Sequence, residues 1–205
     1  MRSRPLEYIL VMLTDRRVDL PDTDSVCDRD LLTVGLFILA RAFHSMNQES
    51  LLAQFEMLLA LAAAWATEEE QKILRDGVSL SEKEIGDARA IGVQSLDRVR
   101  LLQIETIPRP TQPQLRAACD AIDFLTPATR GLTLGHGIFI RSDCWRDRLL
   151  VVHELVHVAQ YERLGGILPF LRRYLFECLT VGYSASPLER EAIAVTARVC
   201  ASSGS

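Results

Sequence analysis

The sequence predicts an α+β fold: a helical N-terminal region, then a mixed region in which a small β-sheet accompanies one long helix. Three observations lead there. The first 95 residues read as helices separated by loops, with no strand pattern among them. Past that point two segments turn rich in β-formers, Val99 to Ile107 and Leu132 to Arg141, and helical patterns follow each. The composition is globular, with 48% hydrophobic and 24% charged residues, and 205 residues suffice to bury a core without staples.

Residues 1–27 form a short element and a polar loop containing Pro21, Asp22, Thr23, Asp24 and Ser25. A helix is expected over 28–46. Asn47 to Ser50 interrupts it, and a second helix runs from Leu51 to Lys72 before the Asp76-Gly77 stop signal. Ser81-Glu82-Lys83-Glu84 is a capping box that opens a third helix reaching Ile91. The strand Val99 to Ile107 ends at Pro108 and Pro110, and Gln114 to Phe124 is helical. Leu132 to Arg141 reads as one strand, with Leu132, Leu134, His136, Ile138 and Ile140 on one face. Ser142 and Asp143 are N-cap candidates for a long helix from Trp145 to Leu164, which Gly165-Gly166 terminates. Pro169 to Leu179 is a further helix, and Ser186-Pro187 starts the last one. The division expected is therefore a helical region over 1–95 and a second unit over 96–205.

Several function classes are disfavoured. With a net charge of −4, a pI near 5.6 and no Lys/Arg run, the chain has no electrostatic attraction for nucleic acid. The five cysteines (Cys27, Cys119, Cys144, Cys178 and Cys200) form no CxxC pair, which fits free thiols in a reducing compartment. Tyr8 to Leu13 is too short for a signal-peptide core. The apolar runs Leu31 to Ala40 and Met57 to Trp65 meet Arg41 and Glu56 before reaching the ~18 uncharged residues of a membrane span. Both read as buried helices, and the expectation is a cytoplasmic chain without a membrane partner.

The chemistry concentrates in His153-Glu154-Leu155-Val156-His157, an HExxH sequence. Residues i and i+4 share a helix face, so both imidazoles can reach one ion. Glu154, one step from the first ligand, can hold a water on the metal and act as its general base. Chance supplies this pattern in on the order of one chain of this length in a few hundred. Leu149 to Ala159 contains no Pro or Gly, as an uninterrupted buried helix requires. Catalytic zinc takes three protein ligands, and no third histidine follows at the metzincin spacing. A downstream glutamate is the alternative, and Pro187-Leu188-Glu189-Arg190-Glu191-Ala192 offers two. Glu189 stands 32 residues past His157, far enough for a returning helix. It also completes a capping box with Ser186, and in that role it would leave ligation to Glu191.

HExxH with a later glutamate on a second helix resembles the gluzincin branch of the zincin metallopeptidases. The run HELVHVAQYERLGG, with LTLGHGIFIR before it and PLEREA after it, is also similar to a group of uncharacterised bacterial zincin-like proteins. The resemblance covers residues 95–200. It implies a zincin-like domain, a Zn2+ ion on His153, His157 and Glu189, Glu154 as the catalytic base, and a peptide or protein substrate. Gluzincins commonly carry a small residue three positions after the ligand glutamate and an acid at the fourth; here these are Ala192 and Ile193. The rival expectation is a zinc-binding module, structural or partner-binding, that does not turn over. A purely structural site, however, needs no base and favours four closed ligands.

Other residues carry weaker expectations. His136 reads as a buried, satisfied histidine on a strand that the resemblance to zincins implies is the edge strand above the HExxH helix. Gly135 and Gly137 beside it suggest close approach of another backbone, such as a substrate strand. Tyr161 is a candidate for core packing or for support of the site. Tyr183 is a candidate hydrogen-bond donor to an oxyanion, and Cys144 is expected to pack.

Overall fold

The computed structural model describes residues 48–121 and 124–202, with the side chains described from Leu52 onward. The expected helix over 28–46 and the loop before it lie outside the described residues. The fold is α+β. Among the described residues are six α-helices: α1 (Gln48–Asp76), α2 (Glu82–Ile91), α3 (Pro113–Ala121), α4 (Arg148–Leu164), α5 (Ile167–Val181) and α6 (Pro187–Ser202). Four strands accompany them: β1 (Val78–Ser79), β2 (Arg100–Ile104), β3 (Gly131–Leu134) and β4 (Gly137–Arg141). They form one mixed sheet in the order β1-β2-β4-β3, in which β2 and β4 run parallel and the two outer pairs antiparallel.

Side-chain alternation divides the core between the two sheet faces. Leu101, Ile138 and Ile140 pack with Ala88 of α2 and with Leu150, Val151, Leu155 and Val158 of α4. Phe139 and Leu134 face the other way, onto Leu59, Trp65, Ala66 and Ile73 of α1. The sheet thus lies between α1 on one side and α2 with α4 on the other, and α5 and α6 pack against α4.

The helix ends follow local chemistry. Ser81 and Glu84 exchange both capping-box hydrogen bonds, and Gly92 closes α2 at φ 100°. Gly165 ends α4 at φ 94°, with its N–H on the carbonyl of Tyr161. The start of α4 differs from expectation. Ser142–Cys144 form a separate 3-10 turn, and the cap is Asp147, whose carboxylate accepts from the N–H of Leu150 at 3.0 Å. Asp143 is engaged elsewhere, holding Arg141 at 2.7 and 2.9 Å.

A second difference is larger. Leu132 to Arg141 is not one strand but a tight hairpin, turning at Gly135 and His136 between β3 and β4. Gly135 has φ 62°, the left-handed region that favours glycine, and a side chain there would sit 2.1 Å from Glu70 Oε1. His136 therefore lies on the turn, not on a strand face with Ile138 and Ile140. Smaller differences sit at element ends: β2 covers only Arg100–Ile104, α5 spans Ile167–Val181, and the short strand β1 has no counterpart in the expectation. No helix among the described residues is long and apolar enough to cross a membrane.

Candidate metal centre

Helix α4 carries His153 and His157 one turn apart, and both are buried. Their Nε2 atoms lie 3.1 Å from each other. Glu189, in the first turn of α6, brings its carboxylate against both: Oε2 is 3.5 Å from His153 Nε2 and Oε1 is 3.4 Å from His157 Nε2. The three residues form one buried group able to offer one ligand atom each to a metal ion. Glu189 Oε2 has no hydrogen-bond partner although it is buried, and neither has His153 Nδ1. An unpaired carboxylate oxygen at 1% exposure is costly unless something else binds it.

Glu189 is free for this position because another residue caps α6. The Ser186 hydroxyl donates to Glu177 Oε2 at 2.7 Å, and the Leu188 N–H donates to the same oxygen at 3.0 Å. The Ser186 N–H that a capping-box glutamate would accept donates instead to the Tyr183 carbonyl at 3.1 Å, so Glu177 and that carbonyl satisfy the start of α6 without the Glu189 carboxylate, and Arg173 holds the other Glu177 oxygen at 2.9 Å. Tyr174 donates to Glu189 Oε1 at 2.7 Å. Burial opposes ionisation of Glu189, but His157, His153 and the Tyr174 hydroxyl outweigh it and hold its pKa at about 2. Glu191 points elsewhere, forming a two-pronged ion pair with Arg163 at 2.8 and 2.6 Å.

The orientation of His157 follows from its neighbours. Gln160 Nε2 donates to the Leu188 carbonyl at 2.9 Å and to Glu191 Oε2 at 3.1 Å, so its oxygen is the atom 2.8 Å from His157 Nδ1. An amide oxygen can only accept, which puts the ring proton on Nδ1 and leaves Nε2 with a lone pair aimed at Glu189 and His153.

Glu154 lies on α4 itself, next to His153, and its carboxylate meets the neighbouring strand β3. The Thr133 hydroxyl donates to Glu154 Oε2 at 2.6 Å. Gly131, two residues earlier on β3, leaves the room that Glu154 occupies: a Cβ there would stand 2.5 Å from Oε1. Burial pushes the Glu154 carboxyl up to about 7, against the opposing pull of His157 and Thr133. Tyr161 anchors α4 to β3 by donating to the Thr133 carbonyl at 3.2 Å, and its ring stacks on Phe170.

The triad and Glu154 line a cavity of about 680 Å3. The wall opposite belongs to α1, through Phe55, Leu58, Leu59, Ala62, Trp65 and Ala66; α3 and α5 complete it. Tyr183 also lines it; burial and the charge of the Glu189 carboxylate push its hydroxyl pKa well up.

Sequence reasoning named His153, Glu154, His157, Glu189 and Tyr183, and the fold brings them to one cavity. It missed Gln160, Glu177, Thr133 and Tyr174. Of these, only Gln160, one turn from His157 on the same helix, left a local signal. Gly135 and Gly137 are not open to a substrate strand, because Glu70 and Ile73 of α1 fill the space their side chains would take. His136 is held by Glu162 Oε1 at 3.2 Å from its Nε2, while its N–H donates to Glu70 Oε1 at 2.8 Å. Cys144 is buried in the core.

Compared with known proteins, the chain matches no family model, and no curated protein or solved structure is similar to it at a significant level.

Proposed function

We propose that His153, His157 and Glu189 bind one zinc ion and that the protein is a zincin-like hydrolase of amide bonds in peptide or protein substrates. The observation that carries this reading is the spacing of the triad. Two ligands at ~2.1 Å from zinc and a tetrahedral angle apart stand about 3.4 Å from each other. Here the two Nε2 atoms stand 3.1 Å apart and the Glu189 carboxylate spans them, Oε2 at 3.5 Å from His153 Nε2 and Oε1 at 3.4 Å from His157 Nε2; one ligand atom from each residue lies within 4.8 Å of the others. The nitrogen–nitrogen–carboxylate set suits zinc, and the unpaired Glu189 Oε2 is the kind of atom a cation satisfies.

Zinc, when bound, supplies the Lewis acidity that lowers the pKa of water to about 7. The chain's own residues do the rest. Glu154 takes the proton from the attacking water and passes it to the departing amine. Thr133 occupies Oε2 and leaves Oε1, the atom Gly131 makes room for, as the acceptor. Gln160 fixes the His157 ring, and Tyr174 with Glu177 fixes Glu189.

A non-catalytic zinc module is the alternative. Two features favour the enzyme over it: among the described residues the site gathers three ligands and not four, and a buried carboxylate stands ready at a cavity. The test is turnover of an unbiased peptide library by the zinc-loaded protein. The enzyme reading expects cleavage that a chelator abolishes and that Glu154→Gln lowers by at least ~100-fold. A zinc-loaded protein that cleaves nothing would favour the module.

A further inference from the structure

Helix α1 has no part in the triad, yet it supplies the wall that faces it. That wall is apolar apart from the indole N–H of Trp65, and α3 adds Leu115, Ala118 and Cys119. No lysine or arginine lines the cavity among the described residues, while Glu154 and Glu189 both do. A carboxylate or phosphate on the substrate would find no countercharge here. Partners for a peptide backbone come only from the side of the edge strand β3 and the hydroxyls of Thr126, Thr129 and Ser184; amides buried against the α1 and α3 walls would go unpaired. A hydrocarbon chain needs none. At the rim, Leu179 of α5 lines the cavity while remaining 58% exposed, so an apolar surface reaches the mouth.

We infer that the cavity holds a long unbranched hydrocarbon chain, and that the bond presented to the triad is the amide of a neutral long-chain N-acyl compound. This rests on the zinc-hydrolase reading above and puts an N-acyl compound in the place of its peptide or protein substrate. Packed at the density of a protein interior, a chain of 12–16 carbons takes roughly 300–400 Å3, so a cavity of about 680 Å3 holds it with room for the amide and its amine. The reaction consumes one water: the acyl carbon gains the hydroxyl as its bond to nitrogen breaks, and the nitrogen leaves with the water's proton by way of Glu154. The products are a fatty acid and an amine.

The probes are straight-chain hydroxamates from acetohydroxamate to dodecanohydroxamate, titrated calorimetrically into the zinc-loaded protein. Each added methylene is expected to tighten binding about threefold to fourfold until the cavity is full. Ala62→Phe and Ala118→Phe, on separate walls, are each expected to collapse the affinity ratio between dodecanohydroxamate and acetohydroxamate by at least tenfold. The short probe reports in the same samples whether the triad is intact. Acetohydroxamate binding with no gain from chain length would overturn the proposal and leave the zinc site standing. So would a hydroxamate bearing a leucine-rich peptide that outcompetes the alkyl series, since the occupant would then be a peptide. Failure of acetohydroxamate to bind, with the chain-length gain persisting in zinc-free protein, would overturn the hydrolase reading and with it the substrate assignment.

Discussion

Helix α4 takes part in two clusters of histidine and glutamate, one buried and one half-buried, and they differ in one respect that decides what each can do. In the first, His153, His157 and Glu189 converge with atoms left over: a carboxylate oxygen and a ring nitrogen have no hydrogen-bond partner. In the second, His136 lies between Glu70 and Glu162, and the carboxylates are occupied. Glu162 accepts the N–H groups of Gln94 and Ser95 at 2.7 and 2.8 Å, and Glu70 accepts that of His136. Proximity of histidine and carboxylate is common to both. An unsatisfied carboxylate oxygen set against two imidazole Nε2 atoms belongs only to the first and is what the proposed cation site rests on; the second is a clamp joining α1, the β3–β4 turn and α4.

Substitutions can break this contrast, and the largest effect is expected at Glu189. Glu189→Ala should weaken zinc binding by more than the ~100-fold that marks the upper end for residues behind the ligands. Glu191→Ala, measured alongside by competition with a chromophoric chelator, should stay within about tenfold of wild type. Reversed results would move the ligand to Glu191. Next comes Gln160→Leu, which removes the acceptor for His157 Nδ1 and should cost about 10- to 100-fold in zinc affinity. An unchanged affinity would mean that the ring is oriented by packing alone.

Gly131→Ala is a milder probe, because it crowds Glu154 without touching a ligand. Zinc content should hold while hydrolysis falls about tenfold, as expected when a general base is displaced. Loss of zinc would show that β3 shapes the triad as well. The clamp should respond in stability alone. Glu70→Gln weakens the acceptor of a buried N–H and is expected to cost about 1–3 kcal/mol in denaturant unfolding, with zinc affinity unchanged. Burial raises the Glu70 pKa, but its bonds to His136 outweigh this and leave it below the ordinary glutamate value. A depressed folded-state pKa stabilises above the unfolded value near ~4.3 and loses that contribution as pH falls through the folded one. Glu70→Gln should accordingly flatten the acid limb of the stability curve. A variant that unfolds with acid as wild type does would remove Glu70 from the clamp.

The contrast between the clusters also explains what could be read from the sequence. HExxH is legible because its chemistry and its helical spacing are local. The same holds for the Ser81–Glu84 capping box and the Gly165 stop. The hairpin was not legible: Leu132 to Arg141 alternates like one strand, and what breaks it is Glu70, some 65 residues earlier, filling the space beside Gly135. Glu189 was ambiguous for the same kind of reason. A capping box and a ligand look alike in sequence until Glu177 from α5 and the Tyr183 carbonyl satisfy the start of α6. The cavity wall was invisible too, since Phe55 to Ala66 carry only the pattern of a buried helix.

The most direct measurement is the zinc content of extensively dialysed protein, wild type beside Glu154→Gln, by elemental analysis. Two imidazoles and Glu189 holding the ion, with Glu154 standing off as the base, predict close to one zinc per chain in both. No zinc in the wild type would contradict the site itself. Zinc in the wild type but none in Glu154→Gln would make Glu154 a ligand and leave the proposed chemistry without its base.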